Sequence, residues 1–180
     1  MDTEQNSNRR FGGIERLYGT PAWHKLQQAH VTVVGVGGVG SWVVEALARS
    51  GVGHITLIDL DNVAESNVNR QLPAITPLFG MPKVDALQQR VFDINPACKV
   101  TTIEDFVDED NIATLFAERV DFVVDAIDQV RVKAAMAAWF VRHKQPFVVS
   151  GAAGGQRHPE HIRVADLSQV KNDKLLANLR

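Results

Sequence analysis

The run Val31-Thr32-Val33-Val34, followed at once by Gly35-Val36-Gly37-Gly38-Val39-Gly40, constrains this chain more than any other feature. Four β-branched residues in a row, bounded by glycines, read as a short buried strand. Beyond the glycines, Val39, Val43, Leu47 and Ser50 recur at helical spacing. Strand, glycine turn and helix together form the context that G-x-G-x-x-G requires. The glycines let backbone approach a phosphate, and the helix N-terminus favours its negative charge. A second strand, His54 to Ile58, ends at Asp59, which lies 19 residues after Gly40. An acid at that distance is placed to accept hydrogen bonds from ribose hydroxyls. The bland alternative is a glycine turn that only packs helix on strand. With strand, helix and acid all in place, the pattern reads as a nucleotide site, without separating NAD from ATP.

The rest of the chain repeats the alternation. Val84, Leu87, Val91 and Ile94 share one helical face, opened by Pro82 and stopped by Asn95-Pro96. Lys99 to Ile103 is a third strand, and Asp108 is placed to cap a helix running through Glu118. Phe122-Val123-Val124 is a fourth strand, apolar on both faces as a buried parallel strand is. A helix from about Gln129 to Lys144 and a fifth strand from Pro146 to Ser150 follow, and Ile162 to Leu167 reads as a sixth strand. The alternation predicts an α/β fold: a doubly wound, mainly parallel sheet with helices on both faces. Residues 1–8 are expected to be a disordered start, and 9–180 a single domain. Arg9 to Gly19 reads as an arm or short helix. Residues 63–81 form a polar connection, long for the inside of a domain, and such connections are usually functional.

Composition narrows the class. The chain has 180 residues, is 45% hydrophobic and 22% charged, and its mean hydropathy is -0.09. These values exclude a mainly disordered or fibrous chain. No apolar run approaches the roughly 18–20 residues of a membrane span, and no stretch reads as a secretory signal. The single Cys98 excludes a disulfide framework and a Cys-rich zinc site, and makes a reduced, cytoplasmic setting the default. Its place at the start of a strand suits a small buried hydrophobe. The net charge of -2 gives no global attraction to nucleic acid. Arg131, Lys133, Arg142, His143 and Lys144 on one helix, and Arg9, Arg10 and Arg16 near the start, read as solvated faces. His158 and His161 read as a surface turn.

Cations decide between the two nucleotides. A dinucleotide needs little more than the helix terminus for its pyrophosphate, whereas a triphosphate undergoing transfer needs cationic side chains and a metal. Arg70 follows Asp59 within the long connection, and Lys83 opens the next helix. Asp59, Asp61, Asp125 and Asp128 all map to the carboxyl ends of strands, where open parallel sheets bind ligands. Arg70 and Lys83 are placed to hold phosphate oxygens, and Asp128 to hold a hard cation such as Mg²⁺. Singly, each has an ordinary role: solvated charges for Arg70 and Lys83, a helix cap for Asp128, a loop cap for Asp61.

Gly35-x-Gly37-Gly38-x-Gly40-Ser41, Asp59-Leu60-Asp61, Asn67-x-x-Arg70-Gln71, Pro82-Lys83 and Asp125-Ala126-Ile127-Asp128 resemble, in order, the motifs of the ThiF/MoeB/HesA superfamily. These are bacterial relatives of ubiquitin-activating enzymes with a Rossmann-like fold. Within it, Arg10-Phe11-Gly12-Gly13, Arg16-Leu17-Tyr18-Gly19 and Gly151-Ala-Ala-Gly154-Gly155-Gln156 look most like the branch that dehydrates threonylcarbamoyladenosine in tRNA. The resemblance implies an ATP-dependent ligase/cyclase of tRNA modification, working as a homodimer with Mg²⁺ and with a sulfur-transfer protein as a further partner. It also implies that the glycines, Ser41, Asp61 and Gln71 line the ATP site, that Asp59 binds ribose, that Asn67, Arg70 and Lys83 hold phosphates, and that Asp128 holds Mg²⁺. One departure stands out. Relatives carry a second arginine near the start that reaches the partner subunit's ATP, and that slot here is Gly13. Arg10 or Arg16 is the expected substitute.

Three alternatives stay open. The first is a sister enzyme that adenylates a ubiquitin-like sulfur carrier. Such enzymes often hold a Cys-x-x-Cys zinc pair where this chain reads Ser168-Gln169-Val170-Lys171-Asn172-Asp173. The second is an NAD-dependent dehydrogenase, which would leave Arg70, Lys83 and Asp128 idle. The third is a non-catalytic nucleotide-binding scaffold. The family pattern continues past Arg180, so the chain is expected to be truncated, with 172–180 a helix cut in mid-run.

Overall fold

The computed structural model describes residues 3–180, with side chains from Arg9 onward. Five strands form one all-parallel sheet: β1 (His30–Val34), β2 (His54–Ile58), β3 (Lys99–Ile103), β4 (Phe122–Asp125) and β5 (Phe147–Val149), in the order β3-β2-β1-β4-β5. The helices are α1 (Thr3–Tyr18), α2 (Thr20–Gln28), α3 (Gly40–Arg49), α4 (Lys83–Ile94), α5 (Ile112–Leu115), α6 (Val130–His143) and α7 (Lys174–Leu179). The chain builds β1, β2 and β3 outward in one direction, then returns to lay β4 on the free side of β1. The order therefore reverses between β1 and β4, which opens a crevice at their carboxyl ends.

Neighbouring residues on each strand feed opposite layers. Val33 and Leu57 pack with Val44 of α3 and Leu87 and Val91 of α4, while Val34 and Ile58 pack with Phe116, Met136 and Phe140 on the α5–α6 side. Both faces of the sheet are thus covered, as the β-branched runs require. At the opposite edge of the sheet, the rings of His30 and His54 stack with centroids 3.5 Å apart. Their Nε2 atoms pair with the hydroxyls of Thr56 and Thr101.

Three elements differ from the sequence reading. Helix α2 was not anticipated; Pro21 in its first turn and the spacing of Trp23 and Leu26 were its signals, and Trp23 packs against Phe11 with ring centroids 5.4 Å apart. The helix expected from Asp108 to Glu118 is shorter: Asp108 caps it, its carboxylate accepting the Asp110 and Asn111 amides while Asn111 Oδ1 accepts the Asp108 amide, but the regular turn is confined to α5. No strand forms over Ile162–Leu167. Ile162 and Val164 are 80% and 91% exposed, and the sheet ends at β5, so an alternating pattern there has no ladder to join. Of the expected disordered start, Met1 and Asp2 lie outside the described residues, and the backbone of α1 runs from Thr3. The helix expected over 172–180 is α7, capped by the Asp173 carboxylate on the Leu176 amide.

Candidate functional site: a nucleotide crevice

The glycine loop leaves β1 directly over the turn that leaves β4. The Gly35 amide donates to the Ile58 carbonyl at 2.9 Å, and the Ala126 amide to the Val34 carbonyl at 2.8 Å. Gly35 has φ +77°, a region L side chains rarely adopt, with Ala126 and Ile127 packed against it. A Cβ on Gly40 would collide with the Gly35 carbonyl oxygen. The loop is a tight backbone fold because no side chain fits inside it. Asp59 fixes it from the next strand: Oδ2 accepts the Val36 amide at 2.7 Å and Oδ1 accepts the Asp61 amide at 2.9 Å. Each oxygen keeps a second lone pair, so ribose hydroxyls remain within its capacity.

The long connection is clamped onto this loop. The Trp42 indole donates to the Arg70 carbonyl at 3.0 Å, and the Leu72 amide donates to the buried Ser41 hydroxyl at 3.2 Å. The Arg70 stem lies against Gly38, and the Gln71 amide lies beside Gly37. Gln71 is buried, and its Oε1 has no partner among the described residues. Asn67 shapes the turn before Arg70 by accepting the Ala64 amide at 3.2 Å. The Arg70 guanidinium is exposed and rests on the Ser66 carbonyl and Asn69 Oδ1, both at 2.9 Å.

Lys83 and Asp61 form a pair that the motif order did not foretell. The Lys83 side chain is 5% exposed, and its ammonium donates to Asp61 Oδ2 at 2.6 Å, while the Asp61 carboxylate is 73% exposed. The backbone repeats the link, the Lys83 amide donating to the Asp61 carbonyl at 2.9 Å. Asp61 thus holds the lysine at the site.

Asp125 and Asp128 separate in role. Asp128 is exposed, and its side chain makes no hydrogen bond among the described residues. Asp125 lies beneath the crevice, 1% exposed, and is bound to Lys133, which is fully buried. Burial raises the Asp125 carboxyl and lowers the Lys133 ammonium, each opposed by the other's charge. Lys133 therefore leaves the solvated face on which the sequence placed it. It and Trp42 are the site residues that sequence reasoning missed.

The profile of the ThiF family matches residues 12–166. The chain belongs to the ThiF family. It is 48% identical to the tRNA threonylcarbamoyladenosine dehydratase of Haemophilus influenzae, over 97% of this chain and 67% of that protein. It is 38% identical to the molybdopterin-synthase adenylyltransferase of Escherichia coli, over 71% of this chain and 51% of that one. Among solved structures, the E. coli tRNA N6-threonylcarbamoyladenosine dehydratase in complex with ATP matches with a TM-score of 0.95 at 48% identity, over 96% of this chain and 71% of that chain. The chain spans about two thirds of the length of the curated dehydratases it matches.

Other features of this ThiF-family chain bear on its chemistry. Cys98 is buried at the start of β3, at the far edge of the sheet, and burial pushes its thiol up to about 11. A thiol so placed is not a nucleophile for the crevice. Among the described residues, no cluster of three or more His, Cys, Asp or Glu could hold a metal ion by itself. Magnesium, however, is commonly held by one or two carboxylates plus substrate phosphates, and the unengaged Asp128 fits that donor set. Arg10 is spent within the subunit, donating to the Ile94 carbonyl at 2.9 Å and the Asp93 carbonyl at 3.3 Å at the end of α4. Among the described residues, Arg16 is exposed and bonded to none. No helix among the described residues is long and apolar enough to cross a membrane.

Proposed function

We propose that this chain is the ATP-binding, adenylating part of a dehydratase that cyclises threonylcarbamoyladenosine in tRNA. The observation that supports the reading is a glycine loop tied to Asp59 and set against both the Arg70 stem and the β4 turn that precedes Asp128, in a fold shared at 48% identity with an ATP-bound dehydratase. In the first step, a carboxylate oxygen of the modified nucleoside attacks the α-phosphorus of ATP. The bond to the bridging oxygen breaks and pyrophosphate leaves. Charge grows on the phosphate oxygens, and the loop amides, Arg70 and Lys83 stabilise it. Lys83 reaches them by exchanging its Asp61 partner for a phosphate oxygen. Asp59 orients the ribose. Asp128 would hold the magnesium ion that accompanies the triphosphate, whose bound charge would neutralise part of that of the phosphates. In the second step, a nucleophile within the same modified base attacks the acyl carbon. AMP departs with the former carboxylate oxygen, so the nucleoside loses the elements of water. Holding both groups in one molecule raises their effective concentration, and no protein nucleophile is needed.

A homodimer belongs to the same reading, with Arg16 as the arginine offered to the partner's ATP, since Arg10 is spent on α4. So do a cytoplasmic setting and a sulfur-transfer partner. The test is incubation with ATP and tRNA carrying threonylcarbamoyladenosine, followed by nucleoside mass analysis. Loss of one water is expected. An unchanged base, with pyrophosphate exchange seen only when a ubiquitin-like sulfur carrier is added, would move the chain to the second reading. The molybdopterin-synthase adenylyltransferase relative favours that second reading; the segment 168–173, which has no cysteine, disfavours it.

A further inference from the structure

We propose that Lys133 is a positioning residue: from inside α6 it fixes the turn 125–128, and so sets the direction in which Asp128 meets the nucleotide. The inference rests on the metal role just given to Asp128. Lys133 and Asp125 are 0% and 1% exposed, and the ammonium donates to Asp125 Oδ1 at 2.7 Å and to the Asp125 carbonyl at 3.4 Å. The same Oδ1 accepts the Ile127 amide at 3.2 Å. One lysine therefore holds the carboxylate that shapes the turn and the backbone that begins it. The Ala126 amide is tied to β1 through the Val34 carbonyl, and the Asp125 carbonyl also accepts the Ser150 amide at 2.8 Å. Asp128 is the first side chain after these ties that is free.

Stability alone does not explain a lysine here. A buried ion pair roughly breaks even with an apolar pair of similar volume. This one also leaves Asp125 Oδ2 buried without a partner among the described residues, which is costly. Local rules broken at a buried position, next to exposed ligating groups, mark functional constraint. The charges of Asp128 and Asp173 in turn favour the Lys133 ammonium, and the Asp173 carboxylate accepts the Ala152 amide after β5. The lysine thus sits where the end of β4, the start of α6 and the segment after β5 meet.

The double variant Lys133→Met/Asp125→Asn removes both charges together and keeps an oxygen for the Ile127 amide. Calorimetry of ATP binding with and without Mg²⁺ is the readout, beside turnover. ATP alone should bind as in the wild type, while the gain in affinity from Mg²⁺ should fall about tenfold, about 1.4 kcal/mol. A folded double variant with wild-type metal dependence overturns the proposal. If it does not fold, hydrogen exchange of the Ile127 amide in the wild-type protein decides: slow exchange is expected, and the rate of an open loop overturns it. Asp128→Asn separates the two layers. Loss of metal dependence there but not in the double variant sinks the role of Lys133 alone; no loss in Asp128→Asn sinks the metal role of Asp128 beneath it.

Discussion

Gly38→Ala is the sharpest test of whether phosphates lie on the glycine loop, because the fold does not need that glycine. An added Cβ at Gly38 would meet only the flexible Arg70 stem, at 3.5 to 3.9 Å, which is ordinary contact. Its φ is not in the left-handed region, so the methyl carries no backbone strain. Folding stability should hold to within about 0.5 kcal/mol. Gly40 is the opposite case: its Cβ would run into the Gly35 carbonyl and come within 3.3 Å of the Ala126 Cβ, both parts of the scaffold. Gly40→Ala should cost about 1–3 kcal/mol as the loop and the β4 turn are forced apart. A phosphate seated on the loop amides would be pushed off by a Gly38 methyl and lose one or two hydrogen bonds to charge. At about 1.5–3 kcal/mol each, ATP affinity falls by about tenfold to about 150-fold for the first bond alone. Urea unfolding gives the stability, and calorimetric titration gives the affinity. Gly38→Ala with wild-type stability and ATP affinity within twofold would refute the placement of phosphate on this loop.

Lys83→Met should cut ATP–pyrophosphate exchange about 10²-fold, the scale of losing one charge-stabilising donor, whereas Asp61→Asn should leave it within about tenfold; equal losses would show that the pair acts as a unit. Trp42→Phe keeps an exposed ring, which is 56% accessible, and removes only the indole bond to Arg70. That bond is worth about 1 kcal/mol, so KM for ATP should rise about fivefold with kcat nearly unchanged; a fall in kcat alone would argue against a clamp on Arg70. Arg10→Ala should lower Tm, since it removes two bonds at the end of α4, while Arg16→Ala should lower turnover at unchanged Tm; the reverse pattern would exchange their roles. Burial, the stacked His30 and the nearby Lys99 push His54 down to about 4. Because the folded form favours neutral His54, stability should be complete above about pH 6.5 and decline toward pH 4. The loss is about 1 kcal/mol after screening at this solvent-facing edge, and His54→Gln should shrink it in urea melts at pH 7 and pH 5, the remainder coming from His30, whose ring burial also holds below its ordinary value.

The parts of this molecule legible in the sequence are those whose cause is local. A β-branched run makes a strand wherever it lies, and a glycine loop between strand and helix has few other uses, so β1, α3 and the Asp59 edge could be read directly. The positions of Arg70, Lys83 and Asp128 follow from the same alternation, which sets each of them after the carboxyl end of a strand. What could not be read depends on a partner distant in sequence. Ile162 and Val164 carry a strand pattern, yet a strand exists only where another offers a ladder. Lys133 is the plainest case. Its neighbours Arg131, Arg142, His143 and Lys144 on α6 are exposed, and by composition it belongs with them. It is buried because helical spacing turns it toward the sheet, with Met136 and Phe140 of the core. Only Asp125, eight residues earlier at the end of β4, makes that burial tolerable. A lysine spaced like a core residue, just after an acid that ends a buried strand, is a pattern that a reader of sequences can use: charge at an apolar position asks where its counter-charge is, and here that question leads to the turn that carries Asp128.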